Sequence, residues 1–360
     1  MRILHIIPTL GSGGAEKMLI DIVREMLNQN IECEVAVLSQ IDDFFGGELN
    51  SLGVPIHYGE SGKVYSFRNI SFLKKLIKNK EYDYIHAHLF GAQLFTPIAL
   101  KWAHKRIPLI TTEHSTHNKR RDKKIFYFLD ALMYKQYRGI ICITAATKEN
   151  LSSYMPSVKN KMILIENGID ISQYENAIAL KTNQISTELA ANEKIILMVA
   201  AMREQKDHAT LIRASKLLPS DCRVVFVGDG ERMEEIKEYA LEYGADSILF
   251  LGTRKDVPSL MKSSDVFVLS SHWEGFGLVV VEAAAAGLPV IASNVSGLSD
   301  VVNTIGGQLF EPYKEEDLAN KIIEALGKNK EYKNLDNYKI QTTVNEYLKF
   351  YSEVSDKWRK

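Results

Sequence analysis

Apolar residues along this chain switch repeatedly between two spacings. The run Arg2–Ile7 is short and rich in Ile and Leu, Gly11-Ser12-Gly13-Gly14 interrupts it, and Met18, Leu19, Ile22, Val23, Met26 and Leu27 then recur at helical intervals. Strand, glycine loop and helix in that order open a doubly wound α/β unit. Further strand-like runs are read at 33–39, 54–58, 84–88, 109–113, 140–144 and 162–165, with helical patterns such as 70–79, 92–104 and 123–137 between them. Such alternation predicts a mostly parallel sheet covered on both faces.

Asn167-Gly168-Ile169-Asp170 is a turn, and a polar, weakly patterned stretch follows it. A second series then begins, with strands at 195–200, 223–228, 247–251, 266–269 and 289–292 and helices at 208–218, 232–243, 257–262, 278–286 and 315–326. The last pattern, 337–357, is a long helix with Tyr347, Leu348, Phe350 and Tyr351 available for packing. Two Rossmann-like domains are therefore expected, 1–170 joined by 337–360, and 171–336, facing each other across a cleft. Parallel sheets bind ligands beyond the carboxyl ends of their strands. The polar loops fall there: Gly11 to Gly14, His88 and His114 in the first series, and Arg203, Lys206, Gly228, Gly230, Thr253, Arg254 and Glu274 in the second.

At 360 residues and 46% hydrophobic, the chain exceeds one ordinary core, and a net charge of −1 gives no global pull toward nucleic acid. Cys33, Cys142 and Cys222 lie in or beside apolar runs without a CxxC pair, which suits buried thiols in a reducing compartment. The opening MRILHIIPTLGSGG reads as a first strand and not a signal peptide, and no apolar run is long enough to span a bilayer. The expected location is the cytoplasm, with any membrane contact peripheral. Lys119, Arg120, Arg121, Lys123 and Lys124 lead into Ile125-Phe126-Tyr127-Phe128-Leu129, a combination suited to an anionic membrane surface or acceptor, or to a solvated loop before a core helix.

The stretch SSHWEGFGLVVVEAAAAGLPVIAS, 270–293, carries the strongest chemical signal. Glu282 stands among valines and alanines, and a carboxylate buried without partners is costly enough that it ordinarily has a hydrogen-bonding task. Phe276, Gly277 and Leu278 precede or open the helix, where free N–H groups and the dipole favour phosphate. The glycine loops themselves are less specific. GxGxxG fails at Glu16 in the first and at Met233 in the second, so binding of a nicotinamide dinucleotide is not indicated. Arg203, Lys206 and Arg254 at strand ends suit a diphosphate if they share one cleft. His86, His88, His104, His114 and His117 include no HExxH-type pair, and no metal is expected. His114 follows a strand and is either a substrate contact or a structural imidazole.

The run from Glu274 to Glu282, WEGFGLVVVEAAAAGLPVIAS in context, resembles the E-x7-E signature of retaining glycosyltransferases of family 4, which adopt the two-domain GT-B fold. The resemblance spans the chain: Gly13-Gly14-Ala15-Glu16, Glu113-His114, Asn167-Gly168-Ile169-Asp170, Gln205 to Ile212, Gly228-Asp229-Gly230 and Phe250-Leu251-Gly252. It implies that Glu274 contacts the donor sugar, Glu282 the ribose, and the backbone of Gly275, Phe276, Gly277, Leu278 and Val279 the sugar and diphosphate. Lys206 matches the family lysine on the diphosphate. The family places an Arg five residues earlier, where this chain has Ala201, and Arg203 stands close enough to substitute. His114 matches a histidine near the sugar, and Gly13 and Gly14 a loop closing on donor and acceptor.

The implied activity is that of a retaining hexosyltransferase using a nucleotide-sugar, with UDP as the expected nucleotide. Its acceptor would be a saccharide or lipid-linked glycan in cell-surface polysaccharide synthesis, without cofactor or metal. Glu274, His114, Lys206 and Arg203 are the candidate catalytic residues. The remaining alternatives are a sugar-nucleotide epimerase on a related fold and a nonenzymatic nucleotide-sugar-binding protein. A glycosidase is disfavoured, because paired hydrolytic carboxylates flank a bond and Glu282 is placed within an apolar helix.

Overall fold

A computed structural model describes residues 1–115, 120–121, 123–243, 248–328 and 331–359. Lys119, His117 and Ser247 lie outside the described residues. The chain divides into two compact units, Met1–Gly168 with Ile340–Lys360, and Ile169–Lys339.

The first unit holds seven strands: β1 (Arg2–Ile7), β2 (Glu32–Val37), β3 (Ile56–Tyr58), β4 (Tyr84–His88), β5 (Leu109–Glu113), β6 (Gly139–Cys142) and β7 (Met162–Leu164). They pair in parallel in the order β3-β2-β1-β4-β5-β6-β7. The second unit holds β8 (Lys194–Val199), β9 (Cys222–Val227), β10 (Ile248–Phe250), β11 (Val266–Leu269), β12 (Val290–Ser293) and β13 (Gln308–Phe310). These are also parallel, ordered β10-β9-β8-β11-β12-β13. Central strands such as β8 and β11 are apolar on both faces because helices cover both, and their residues are almost wholly buried. In each sheet the strand order reverses beside the first strand, between β1 and β4 and between β8 and β11. At such a reversal the connections leave toward opposite faces, and it is there that doubly wound sheets ordinarily bind ligands.

The helix Ile340–Arg359 belongs to the first unit. Tyr347 and Tyr351 are fully buried, and the Tyr351 hydroxyl meets His86 Nδ1 at 2.6 Å. The Thr343 hydroxyl donates to the Glu166 carbonyl at 2.9 Å. Gly139 in β6 lies against this helix.

Some elements have little sequence signal. β13 has three residues behind Gly306-Gly307, and the helix Ala145–Tyr154 is sparse in apolar positions but is capped by the Thr144 hydroxyl, which accepts from Thr147 N. The strand read at 54–58 contracts to Ile56–Tyr58, since Pro55 lacks an N–H and contributes only its carbonyl, which accepts from Val35 N at 3.0 Å. All three cysteines are buried and free. Among the described residues, no helix is long and apolar enough to cross a membrane.

A Cβ at Gly139 would lie 2.6 Å from the Phe350 ring and 3.1 Å from Val354. Gly139→Val should therefore lift the terminal helix from the sheet and destabilise the protein by about 1–3 kcal/mol, as overpacking does. Urea denaturation checks this; an unchanged midpoint would show that the helix adjusts freely.

Candidate functional site

In the second unit the loops after β8 and β11 are sewn together by backbone. Asp207 N donates to Ser270 O at 3.1 Å, His272 N donates to Gln205 O at 2.9 Å, and the Ser270 hydroxyl donates to Asp207 O at 2.6 Å. Asp207 also caps the helix His208–Ser215, accepting from Thr210 N at 3.1 Å and from the Thr210 hydroxyl at 2.6 Å. This stitching sets Lys206 against Glu274. Lys206 Nζ pairs with Glu274 Oε1, Gln205 Nε2 donates to Oε2 at 3.1 Å, and the Ser271 hydroxyl reaches Oε1 at 3.3 Å. The two ionised side chains are only 14% and 7% exposed.

Gly277 N-caps the helix Leu278–Ala285 in the left-handed region, φ 80°, and a Cβ there would meet Leu298 Cδ1 at 2.5 Å. Glycine is required on both counts. The Phe276 side chain is buried edge-on against Tyr338 and anchors the turn, so only its backbone faces a possible ligand role. Gly275 is buried, while Leu278 and Val279 on the first helical turn are half-buried. Glu282 is buried in the same helix, one turn after Leu278.

The remaining cations divide. Arg203 is exposed in the turn where Lys206 N donates to its carbonyl at 2.9 Å, and no ion pair holds its guanidinium among the described residues. Arg254 instead forks onto Asp256 at 2.8 and 2.6 Å and reaches Ile185 O at 3.3 Å. The hydrogen bonds and charge of Asp256 raise the Arg254 pKa. Thr253 beside it is exposed. Gly228 and Gly230 follow β9 against the loop after β8, where a Cβ would meet Ala200 O at 2.0 Å and Met202 O at 2.4 Å. Close backbone packing alone requires both glycines.

In the first unit Gly13 N-caps the helix Gly14–Asn28. A Cβ at Gly13 would meet only the flexible Glu16 side chain, and at Gly14 nothing within 4 Å, so packing does not demand glycine there. Glu113 ends β5 buried, receiving Gln93 Nε2 at 2.7 Å, the Tyr134 hydroxyl at 2.6 Å and Arg121 at 2.7 Å. Arg120 pairs with buried Asp130 at 3.2 Å and lies over the Phe90 ring. The side chains of Arg120 and Arg121 are 10% and 6% exposed. Two of the five cations read as an outward basic patch thus point inward, because buried Asp130 and Glu113 need counter-charges.

Half-buried His114 follows Glu113 and approaches His88 Nδ1 through its Nε2 at 3.4 Å. His88 Nε2 lies 3.2 Å from His5 Nδ1. One ring nitrogen from each of His5, His86 and His88 falls within a 4.8 Å group, a cluster that sequence spacing did not reveal. Both His86 nitrogens are already engaged, with the Tyr351 hydroxyl at 2.6 Å and Thr112 Oγ1 at 2.8 Å, and among the described residues no carboxylate joins the group. Desolvation lowers all these imidazoles: His5 to about 3, His114 to about 4 against the opposing pull of Glu113, and His86 and His88 well below 6.5.

Two doubly wound parallel-sheet units are the architecture of the GT-B class. The Anabaena Alr3699/HepE structure in complex with UDP and glucose superposes with a TM-score of 0.79, at 21% identity, over 100% of this chain and 99% of that one. The description Glycosyltransferase Family 4 matches residues 12–173, and Glycosyl transferases group 1 matches 181–342. Putative glycosyltransferase EpsF of Bacillus subtilis is 30% identical over 81% of this chain and 79% of its own length. An Escherichia coli relative named UDP-Gal:alpha-D-GlcNAc-diphosphoundecaprenol alpha-1,3-galactosyltransferase is 28% identical over 92% and 90%. The chain belongs to glycosyltransferase family 4.

The buried histidines tie stability to pH. Their folded pKa values lie below the ordinary 6.5, so beneath that pH the unfolded chain binds more protons. Stability is complete above pH 6.5 and should fall as pH drops toward 4, by about 1.4 kcal/mol per pH unit for each such histidine. Urea titrations at pH 7.5 and 5 test this, and equal stability at both would refute it.

Proposed function

We propose that this chain is a retaining, metal-independent glycosyltransferase that moves a sugar from a UDP-sugar to a lipid-linked glycan acceptor. The observation that carries the reading is the Lys206–Glu274 pair at the β8/β11 crevice beside the first turn of Leu278–Ala285. In a nucleotide-sugar the anomeric carbon is one oxygen from the β-phosphate. Adjacent groups of opposite sign therefore suit it: Lys206 for phosphate, Glu274 for sugar hydroxyls. Glu282, one turn or roughly 5.4 Å along the helix from Leu278, suits the ribose hydroxyls at the other end of the diphosphate. The names of the relatives support UDP and a diphospholipid acceptor.

In this reading residues 171–336 bind the donor, with Gly228, Gly230 and Thr253 bordering the nucleotide, and residues 1–170 with 337–360 bind the acceptor. Arg203 takes the role left open by Ala201. As the bond from C1 to the phosphate oxygen breaks, the acceptor oxygen bonds to C1 on the same face and its proton passes to the departing phosphate. Lys206, Arg203 and the N–H groups of Leu278 and Val279 stabilise the charge on that phosphate in place of a metal. Gly14, where packing does not require glycine, leaves backbone open to a substrate.

Glu274→Ala should keep its fold and lose at least about 100-fold in transfer from the UDP-sugar, the scale of a lost transition-state contact. Chelation of divalent metal should leave the wild type unaffected. UDP should raise the melting temperature, less so in Glu282→Ala. Full activity in Glu274→Ala would overturn the assignment.

We further propose a cytoplasmic enzyme with peripheral contact at the inner membrane face through the helix Lys124–Gln136. Its inward face carries buried Asp130, Met133 and Tyr134, while Ile125, Phe128 and Leu132, one stripe at helical spacing, are 78%, 74% and 66% exposed. Exposed Lys123 and Lys135 flank the stripe and suit an anionic surface. Sedimentation with phosphatidylglycerol vesicles should show binding that Phe128→Asp with Leu132→Asp abolishes and Lys123→Glu weakens. Equal binding by the double variant would exclude this face.

A further inference from the structure

Three histidines from three adjacent parallel strands or their ends form a chain of hydrogen bonds in the first unit. His5 lies within β1, His88 ends β4, and His114 follows β5. The links are His5 Nδ1 to His88 Nε2 at 3.2 Å and His88 Nδ1 to His114 Nε2 at 3.4 Å. His86 stacks on His88, with ring centroids 4.2 Å apart, but is satisfied separately by Tyr351 and Thr112. At the far end His5 is fully buried and its Nε2 has no hydrogen-bond partner among the described residues.

A neutral imidazole carries one N–H and one bare nitrogen, so the chain can run in only two directions. In one, His114 Nε2–H donates to His88 and His88 Nε2–H donates to His5, which leaves a buried N–H on His5 with no acceptor. In the other, His5 Nδ1–H donates to His88 Nε2 and His88 Nδ1–H donates to His114 Nε2, which leaves a bare lone pair on His5. Orphaned buried N–H groups are rarer than under-used acceptors, so the second direction prevails. The two bonds also polarise each other in the same sense. Each ring thereby fixes its neighbour, and the last ring receives its proton position from a residue two strands away.

We propose that His5 and His88 are positioning residues that lock His114 with its proton on Nδ1, so that His114 acts as a hydrogen-bond donor to an oxygen of the sugar substrate and not as a general base. The substrate part rests on the glycosyltransferase reading above; the tautomer does not. With Nε2 occupied by His88 and Nδ1 already protonated, His114 has no free lone pair for an acceptor proton, which accords with delivery of that proton to the leaving phosphate. Glu113, the adjacent carboxylate, is engaged by Gln93, Tyr134 and Arg121.

Long-range 1H–15N correlation of the histidine rings in the 15N-labelled full chain at pH 7.5, without substrate, reads the tautomer directly. The expected spectrum shows His114 protonated at Nδ1 and bare at Nε2; protonation at Nε2, or at both nitrogens, overturns the proposal. His5→Leu removes the first donor and should mix the His114 tautomers, lowering kcat roughly tenfold, as small misplacements do, with KM for the UDP-sugar within about twofold. His5→Asn, whose amide N–H can stand in for Nδ1–H, should restore the single tautomer and most of kcat. An unaltered His114 tautomer in His5→Leu also overturns it. Because the wild-type spectrum needs no substrate, failure to transfer sugar would sink the functional reading while leaving this result in place.

Discussion

The arrangement of the second unit depends on the hydrogen bonds that join the loop after β8 to the loop after β11. Parallel strands leave their carboxyl-end loops with backbone groups to satisfy, and at a switch point these loops have no helix between them. Here they satisfy one another. The consequence is that Lys206 and Glu274, 68 residues apart, are brought into contact with little freedom. Burying such a pair costs desolvation energy that its attraction barely offsets, and an apolar pair would hold the loops as well. Its contribution to stability is therefore small.

The first unit meets the same topological situation with different chemistry. Its switch point, β1 beside β4, is filled by imidazoles kept neutral by burial, where the second unit uses ions. Neutral rings transmit orientation through directional bonds without placing charge in a dry interior. Ions hold less precise geometry but respond strongly to a phosphate.

Much of this was legible from residue spacing. Both series of alternating strands were readable because a doubly covered strand must be apolar on both faces, and Glu282 stood out because a carboxylate among alanines and valines is expensive; it is 8% exposed. Glycines were readable as turns but not as to their cause. Gly228 and Gly230 are required by neighbouring carbonyls and Gly14 is not, a distinction that exists only in three dimensions. Arg120 and Arg121 looked like surface charges because their acids are separated from them in sequence and one, Asp130, is hidden on the inner face of a helix.

The histidine chain was the largest omission, yet its signal was present. His5 interrupts an otherwise apolar central strand, and His86 and His88, two apart, must share one face of β4. A polar ring inside a doubly covered strand needs a partner from an adjacent strand, and the β1–β4 register sets His5 opposite His86. What periodicity could not supply was which strands are neighbours: β1 and β4 are separated by two intervening strands in sequence, and only the reversal of strand order brings them together. The same reversal occurs in each sheet, so the residues hardest to associate from sequence are those that only the topology brings together.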